Sequence, residues 1–105
     1  MTPFQIQTTE DDQERLRVAV HGELDIATAS ELERELRAAL GSADVVLDLQ
    51  TVSFMDSSGL RALLVASREA HEAGRRLLVL PGSGQVLRVI EMAQVTEHLE
   101  LSDGA

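Results

Sequence analysis

Apolar and polar residues alternate at the start of the chain. Phe4 and Ile6 fall two apart within Phe4–Thr8, and Leu16, Val18 and Val20 do the same within Leu16–Val20. Period-two spacing buries one face of a strand. Residues 9–14, all polar, read as the turn that joins these two strands into an antiparallel pair. The period then changes. From Thr28 to Leu40 the residues Leu32, Leu36, Ala39 and Leu40 share one helical face, Thr28 and Glu31 have the spacing of a capping box, and Gly41 is placed to end the helix. Val45–Leu49 is a short apolar run with β-branched residues, the pattern of a strand covered on both faces. Ser57 to Ala73 returns to helical spacing through Leu60, Leu63, Leu64, Ser67, Ala70 and His71, with Gly74 as the stop. Leu77–Leu80 is a further buried strand, closed by Pro81 and Gly82. Ser83 to Ala93 is a third helix, with Val86, Val89, Ile90 and Ala93 on one face. Val95–Leu101 is ambiguous between the two periods.

The predicted order is β-β-α-β-α-β-α, with room for a short terminal element. Strands alternating with helices give an α/β fold, a mixed and mostly parallel β-sheet with helices packed against it. No repeat, linker or low-complexity stretch interrupts the chain. Its 105 residues are expected to form a single domain, residues 1–105, with a core over about 4–100.

Composition narrows the function. The nine basic residues are all Arg, set against 18 acidic ones, for a net charge of −9. Such a chain repels nucleic-acid backbones and anionic membranes. The aromatic residues, 2% of the chain, are both Phe, so base stacking on aromatic rings is not available. The absence of Cys rules out disulfides, thiol catalysis and zinc–thiolate sites. Met1 to Glu10 has neither the basic nor the apolar part of a signal peptide, and no apolar run approaches the roughly 18 residues of a membrane span. A cytoplasmic protein without direct membrane insertion is expected.

Catalytic chemistry is hard to find. Asp56-Ser57-Ser58-Gly59 lacks the Gly-x-Ser-x-Gly turn of hydrolases, and His21, His71 and His98 fall in unrelated predicted elements. Pro81-Gly82-Ser83-Gly84 lacks the Lys-Ser/Thr of a phosphate loop, and no metal-ligand spacing occurs. No basic residue stands beside Asp56, and Arg61, the nearest, could serve a nucleotide as a lone anchor at best. The chain is therefore not expected to be an enzyme or to hold a cofactor. Glu23, Asp25 and Asp56 follow predicted strand ends, where loops of an α/β sheet cluster, and could share a rim. Ser57 and Ser58 fall in the first turn of a helix. Hydroxyls there are either plain caps or a site for an added phosphate, which a helix N-terminus favours.

Three stretches together resemble a known family. They are Gly22-Glu23-Leu24-Asp25-Ile26-Ala27-Thr28, the run from Val46-Leu47-Asp48-Leu49 through Phe54-Met55-Asp56-Ser57-Ser58-Gly59-Leu60, and Leu77–Pro81. The chain resembles STAS domains, more narrowly the bacterial anti-sigma factor antagonists. That resemblance implies a protein whose unphosphorylated form binds an anti-sigma factor that is also a serine kinase, releasing a sigma factor. The kinase would use ATP and Mg²⁺ to phosphorylate Ser57, the serine after Asp56. Ser58 fits the acceptor position less well and could cap the helix. A phosphoserine phosphatase would restore the active form. The matching partner surface comprises Gly22, Glu23, Asp25, Asp56, Ser57, Ser58, Gly59 and Leu60, with the exposed flank of the following helix. STAS domains also serve as subunits of lipid-transport and stress-signalling assemblies. In that alternative Ser57 would be only a helix cap.

Overall fold

In the computed structural model, which describes residues 3–102, the opening alternation becomes strands β1 (Gln5–Glu10) and β2 (Leu16–Leu24). They pair antiparallel from Gln5 opposite His21 to Glu10 opposite Leu16. The polar turn is shorter than the sequence suggests, because β1 continues to Glu10. Asp11 organises what remains: its carboxylate accepts from the Gln13 and Arg15 amides, each at 2.9 Å, and from Arg15 Nε at 2.6 Å.

Helix α1 (Ala29–Leu40), strand β3 (Val45–Met55), helix α2 (Ser57–Glu72), strand β4 (Leu77–Leu80) and helix α3 (Gln85–Met92) follow. The ambiguous C-terminal stretch resolves into a 3₁₀ turn, Thr96–His98, and a two-residue strand β5, Glu100–Leu101. The five strands lie in the order β1-β2-β3-β4-β5. All neighbours after the first pair run parallel. Helices α1 and α2 pack on each other and on β2, β3 and β4, while α3 lies along β3. Between sheet and helices, Val20, Leu36, Leu47, Leu63, Val79 and Ile90 are completely buried. Helix α2 stops at the expected place. Gly74 adopts φ +71°, the Arg75 amide donates to Ala70 O at 2.8 Å and the Gly74 amide to His71 O at 3.1 Å. This is the Schellman arrangement, which favours glycine at that point.

The largest departure from the sequence reading is in β3. The strand does not end at Leu49 but runs to Met55, so Asp56 alone separates it from α2. Its register against β2 slips twice: Ala19 and His21 face Asp48 and Thr51, then Gly22 and Glu23 face Val52 and Phe54. Each slip places one extra residue on β3, as a β-bulge does. Its inward residues are therefore Leu47, Leu49, Val52 and Met55, spaced two, three and three. The period-two signal is lost over a stretch that is still a strand.

Past Asp48, which pairs with Leu80, β3 has lost β4 as a neighbour. At its end a side chain replaces the missing strand. Gln85, the first residue of α3, accepts from the Met55 amide through Oε1 at 2.8 Å and donates from Nε2 to Met55 O at 3.0 Å. Gln85→Leu leaves both backbone groups without these partners. It is expected to cost about 1–3 kcal/mol, read as a lower thermal midpoint. A variant melting with the parent would show that water replaces the amide at no cost.

Ahead of this region Arg17 and Asp48 pair at 2.6 Å across β2 and β3. Partial burial acts to raise the Asp48 pKa. Hydrogen bonds from the Gln50 amide, Arg17 and the Gln50 side chain outweigh it and hold the carboxyl below its ordinary value.

Candidate functional site

The parallel pairing of β2 and β3 carries two chain segments out of the sheet side by side. Leu24 faces Met55, the last residue of each strand, and the Asp56 amide donates to Leu24 O at 3.0 Å. The β2–α1 loop and the start of α2 therefore form one edge. Glu23, Asp25, Asp56, Ser57 and Ser58 come together there, as the sequence suggested.

Their roles are not those of a uniform acidic rim. Asp25 folds its own loop. Its carboxylate accepts from the Ala27 amide at 3.0 Å, and its backbone O accepts from the Thr28 and Ala29 amides. Thr28 does not make the expected capping box with Glu31. Its hydroxyl turns back to donate to Glu23 O at 2.8 Å and accept from the Asp25 amide at 3.0 Å. Asp25 O takes the Thr28 and Ala29 amides, and the Thr28 hydroxyl is committed to the loop rather than to the Glu31 amide.

Asp56 is the cap of α2. One of its carboxylate oxygens accepts from the Ser58 amide at 2.8 Å and the Gly59 amide at 3.3 Å. Neither serine caps the helix. A residue in extended conformation just before the first turn can aim its side chain back at the amides, whereas residues already inside the turn cannot. Ser57 and Ser58 occupy the first two helical positions, and among the described residues neither hydroxyl has a hydrogen-bond partner. Ser57 is exposed and Ser58 half-buried.

Two glycines of the edge act inside the fold. Gly22 is buried with φ +100°, and a Cβ there would lie 3.0 Å from Phe4 Cα. Gly59 is buried where α2 touches the strand ends, its ideal Cβ position only 2.6 Å from Met55 Cγ. Leu60 is half-buried against the core. What the edge presents outward is Glu23, Ser57 and two apolar side chains that the sequence reading did not single out. Ile26, at the tip of the Asp25 loop, is 81% exposed, and Phe54 is 42% exposed. Ile26 could have been noticed as an apolar residue between two strands of turn-forming neighbours, since nothing in the periodicity of α1 requires it. Ile26, Ala29, Ser30, Glu33, Ser58 and Arg61 line a shallow groove between the first turns of α1 and α2.

The histidines are distributed differently from their sequence positions. His21 lies in β2, its Nδ1 2.7 Å from Thr51 Oγ1. His71 and His98, although far apart in the chain, line one groove with Leu64, Ser67 and Arg68. Ser67 Oγ donates to His98 O at 3.1 Å, a bond that ties the 3₁₀ turn to α2. Among the described residues no three His, Asp or Glu side chains converge as a metal set. No described helix is long and apolar enough to cross a membrane.

Residues 4–104 match the STAS domain family. The chain belongs to that family. Among its STAS relatives is the anti-sigma-B factor antagonist of Staphylococcus aureus, 31% identical over 101 residues that cover 94% of this chain and 93% of the relative. Two solved structures share the fold. An anti-sigma factor antagonist from Mycobacterium paratuberculosis superposes with a TM-score of 0.85 at 24% identity, covering 96% of this chain and 86% of that one. The Bacillus cell fate determinant SpoIIAA in its phosphorylated form gives 0.71 at 21% identity, covering 95% and 93%.

Proposed function

We propose that this STAS protein is an anti-sigma factor antagonist switched by phosphorylation of Ser57. The observation that carries the reading is the state of that hydroxyl. It stands exposed and unpartnered on the first turn of α2, while Asp56 does the capping. Ser57 is therefore spare for modification without loss of the cap. The relative from S. aureus, named as an antagonist and matched over nearly its full length, supports the same reading.

In this reading the unphosphorylated protein docks its β2–α1 and α2 edge on an anti-sigma factor that is also a serine kinase. Ile26 and Phe54 supply apolar contact, and Glu23 adds charge at the rim. The kinase holds ATP and Mg²⁺, and this chain contributes only the acceptor. Ser57 Oγ attacks the γ-phosphorus, its proton passes to a base on the kinase, and ADP leaves. The product carries about −1.5 to −2 additional charge at neutral pH, beside Asp56 and next to a contact that must shed water. Repulsion and the cost of desolvating the dianion then release the partner. A phosphatase resets the cytoplasmic cycle. The protein performs no catalysis of its own.

The test mixes the protein with the anti-sigma serine kinases of its host, with and without Mg-ATP. Phosphate is located by mass spectrometry and the complex is followed by calorimetry. The expected result is a complex without nucleotide, phosphate on Ser57 with Mg-ATP, and a Ser57→Ala protein that binds but is not released. Phosphate on Ser58 alone, or release of Ser57→Ala by Mg-ATP, would overturn the assignment.

A further inference from the structure

Arg61 is one of five arginines, with Arg34, Arg68, Arg75 and Arg88, that make no ion pair among the described residues, and it is the one of them near Ser57 in the chain. Arg15, Arg17, Arg37 and Arg76 each hold a carboxylate. Arg61 is exposed and makes no ion pair among the described residues. It follows Ser57 by four positions in α2, so the two are neighbours on the helix surface with Cβ atoms about 5–6 Å apart. Helical side chains lean toward the N-terminus, which lays the Arg61 stem over the turn that contains the serines. Arg61 lines a groove with Ser58, the residue after Ser57, so its side chain lies along the first turn of α2.

We propose that Arg61 is the cation that receives the phosphate once Ser57 is phosphorylated, closing a phosphoserine–arginine pair within one turn of α2. The inference rests on Ser57 being the acceptor and adds how the phosphate is then held. A guanidinium presents paired N–H donors that match two phosphate oxygens. The other charges facing this turn are acidic. Asp56 precedes Ser57 with its carboxylate held by the Ser58 and Gly59 amides, Glu33 lines the groove from α1, and Glu23 and Asp25 stand on the same edge from the end of β2 and its loop, Asp25 with its carboxylate on the Ala27 amide. Arg61 is the one basic residue within four positions of Ser57, so it is the counter-charge that α2 offers a phosphate there. Phosphorylation then changes the edge twice. It adds a dianion and withdraws from a docked partner the guanidinium that was free to meet it.

The test installs phosphoserine at position 57 during synthesis of the full chain, so that no kinase is needed, and titrates the phosphate by ³¹P NMR. With Arg61 present, its second pKa is expected to lie below that of the Arg61→Gln protein by about half a unit or more. Arg61→Lys, which keeps the charge, should recover part of the difference. Equal pKa values in the parent and Arg61→Gln would overturn the pair. A depressed value that persists in Arg61→Gln would also do so, assigning the effect to the helix end alone. Because the phosphate is built in, this result is independent of whether a host kinase modifies Ser57. Absence of enzymatic phosphorylation would count against the functional reading, and an unaltered titration against Arg61.

Discussion

Gly59→Val is expected to lower the thermal midpoint by about 10–20 °C, if the protein folds at all. An ideal Cβ at this position lies 2.6 Å from Met55 Cγ, 2.9 Å from Leu24 Cβ and 3.1 Å from Leu24 O. Real side chains do not approach that closely, so something must move. Met55 and Leu24 are both buried in the core, and Leu24 O already accepts from the Asp56 amide. Helix α2 would have to lift off the strand ends and strain its own first turn. Overpacking of this kind costs about 1–3 kcal/mol and sometimes more, and valine adds two methyl groups beyond the first clash. In a chain of this size each kcal/mol is worth about 4–8 °C. Ala38→Val is the control, because Ala38 is exposed within α1 and also gains two methyl groups. If Gly59→Val melted within a few degrees of Ala38→Val, the close approach of α2 to the strand ends would not be a constraint on this fold.

Ile26→Asp is expected to leave stability unchanged and to weaken binding to the anti-sigma kinase about 30-fold or more. At 81% exposure the side chain contributes little to the core. An apolar side chain held out by a hydrogen-bonded loop, in one groove with Ser58 and Arg61, has the features of a central contact residue. Such residues are commonly worth about 2 kcal/mol or more when lost. Aspartate removes the apolar contact and adds a charge that must be desolvated on docking. Met92 provides the comparison, being 83% exposed at the far end of α3. Gln85 begins that helix against Met55, so Met92 lies toward the opposite end of the strands. Met92→Asp should bind as the parent does. Equal losses in the two variants would point to a general charge effect, and no loss in Ile26→Asp would move the docking surface elsewhere.

Much of the fold was legible because local periods and core demands agreed. The two long helices could be read from their apolar stripes, and Gly74 marked the end of α2 because the turn there requires a left-handed residue. The second half of β3 was hidden because two bulges shift its inward positions, so a continuous strand carries no continuous alternation. The clamp of Gln85 on Met55 could not be foreseen either. A side-chain amide that stands in for a strand leaves no pattern in the chain, only a glutamine where a helix begins. At the site, the neighbourhood of Glu23, Asp25, Asp56 and the serines was readable from loops that follow parallel strands. The division of labour was not. That Asp56 caps and the serines remain spare depends on one residue's extended backbone at the helix entrance. Thr28 carried the signature of a capping box, but its hydroxyl is committed to Glu23 O and the Asp25 amide within the loop.

Each strand of the sheet lies beside its neighbour in the sequence. A chain emerging from the ribosome can thus add strands in order, without leaving a gap for one made later. The edge that carries Ser57 needs only β1 to α2, which are complete by Glu72. Its last backbone partner, Gln85, arrives thirteen residues afterwards with α3. Each parallel pairing still closes about thirty residues of chain, Leu16 with Val45 and Val45 with Leu77, so these crossovers rather than the strand order set the pace of folding.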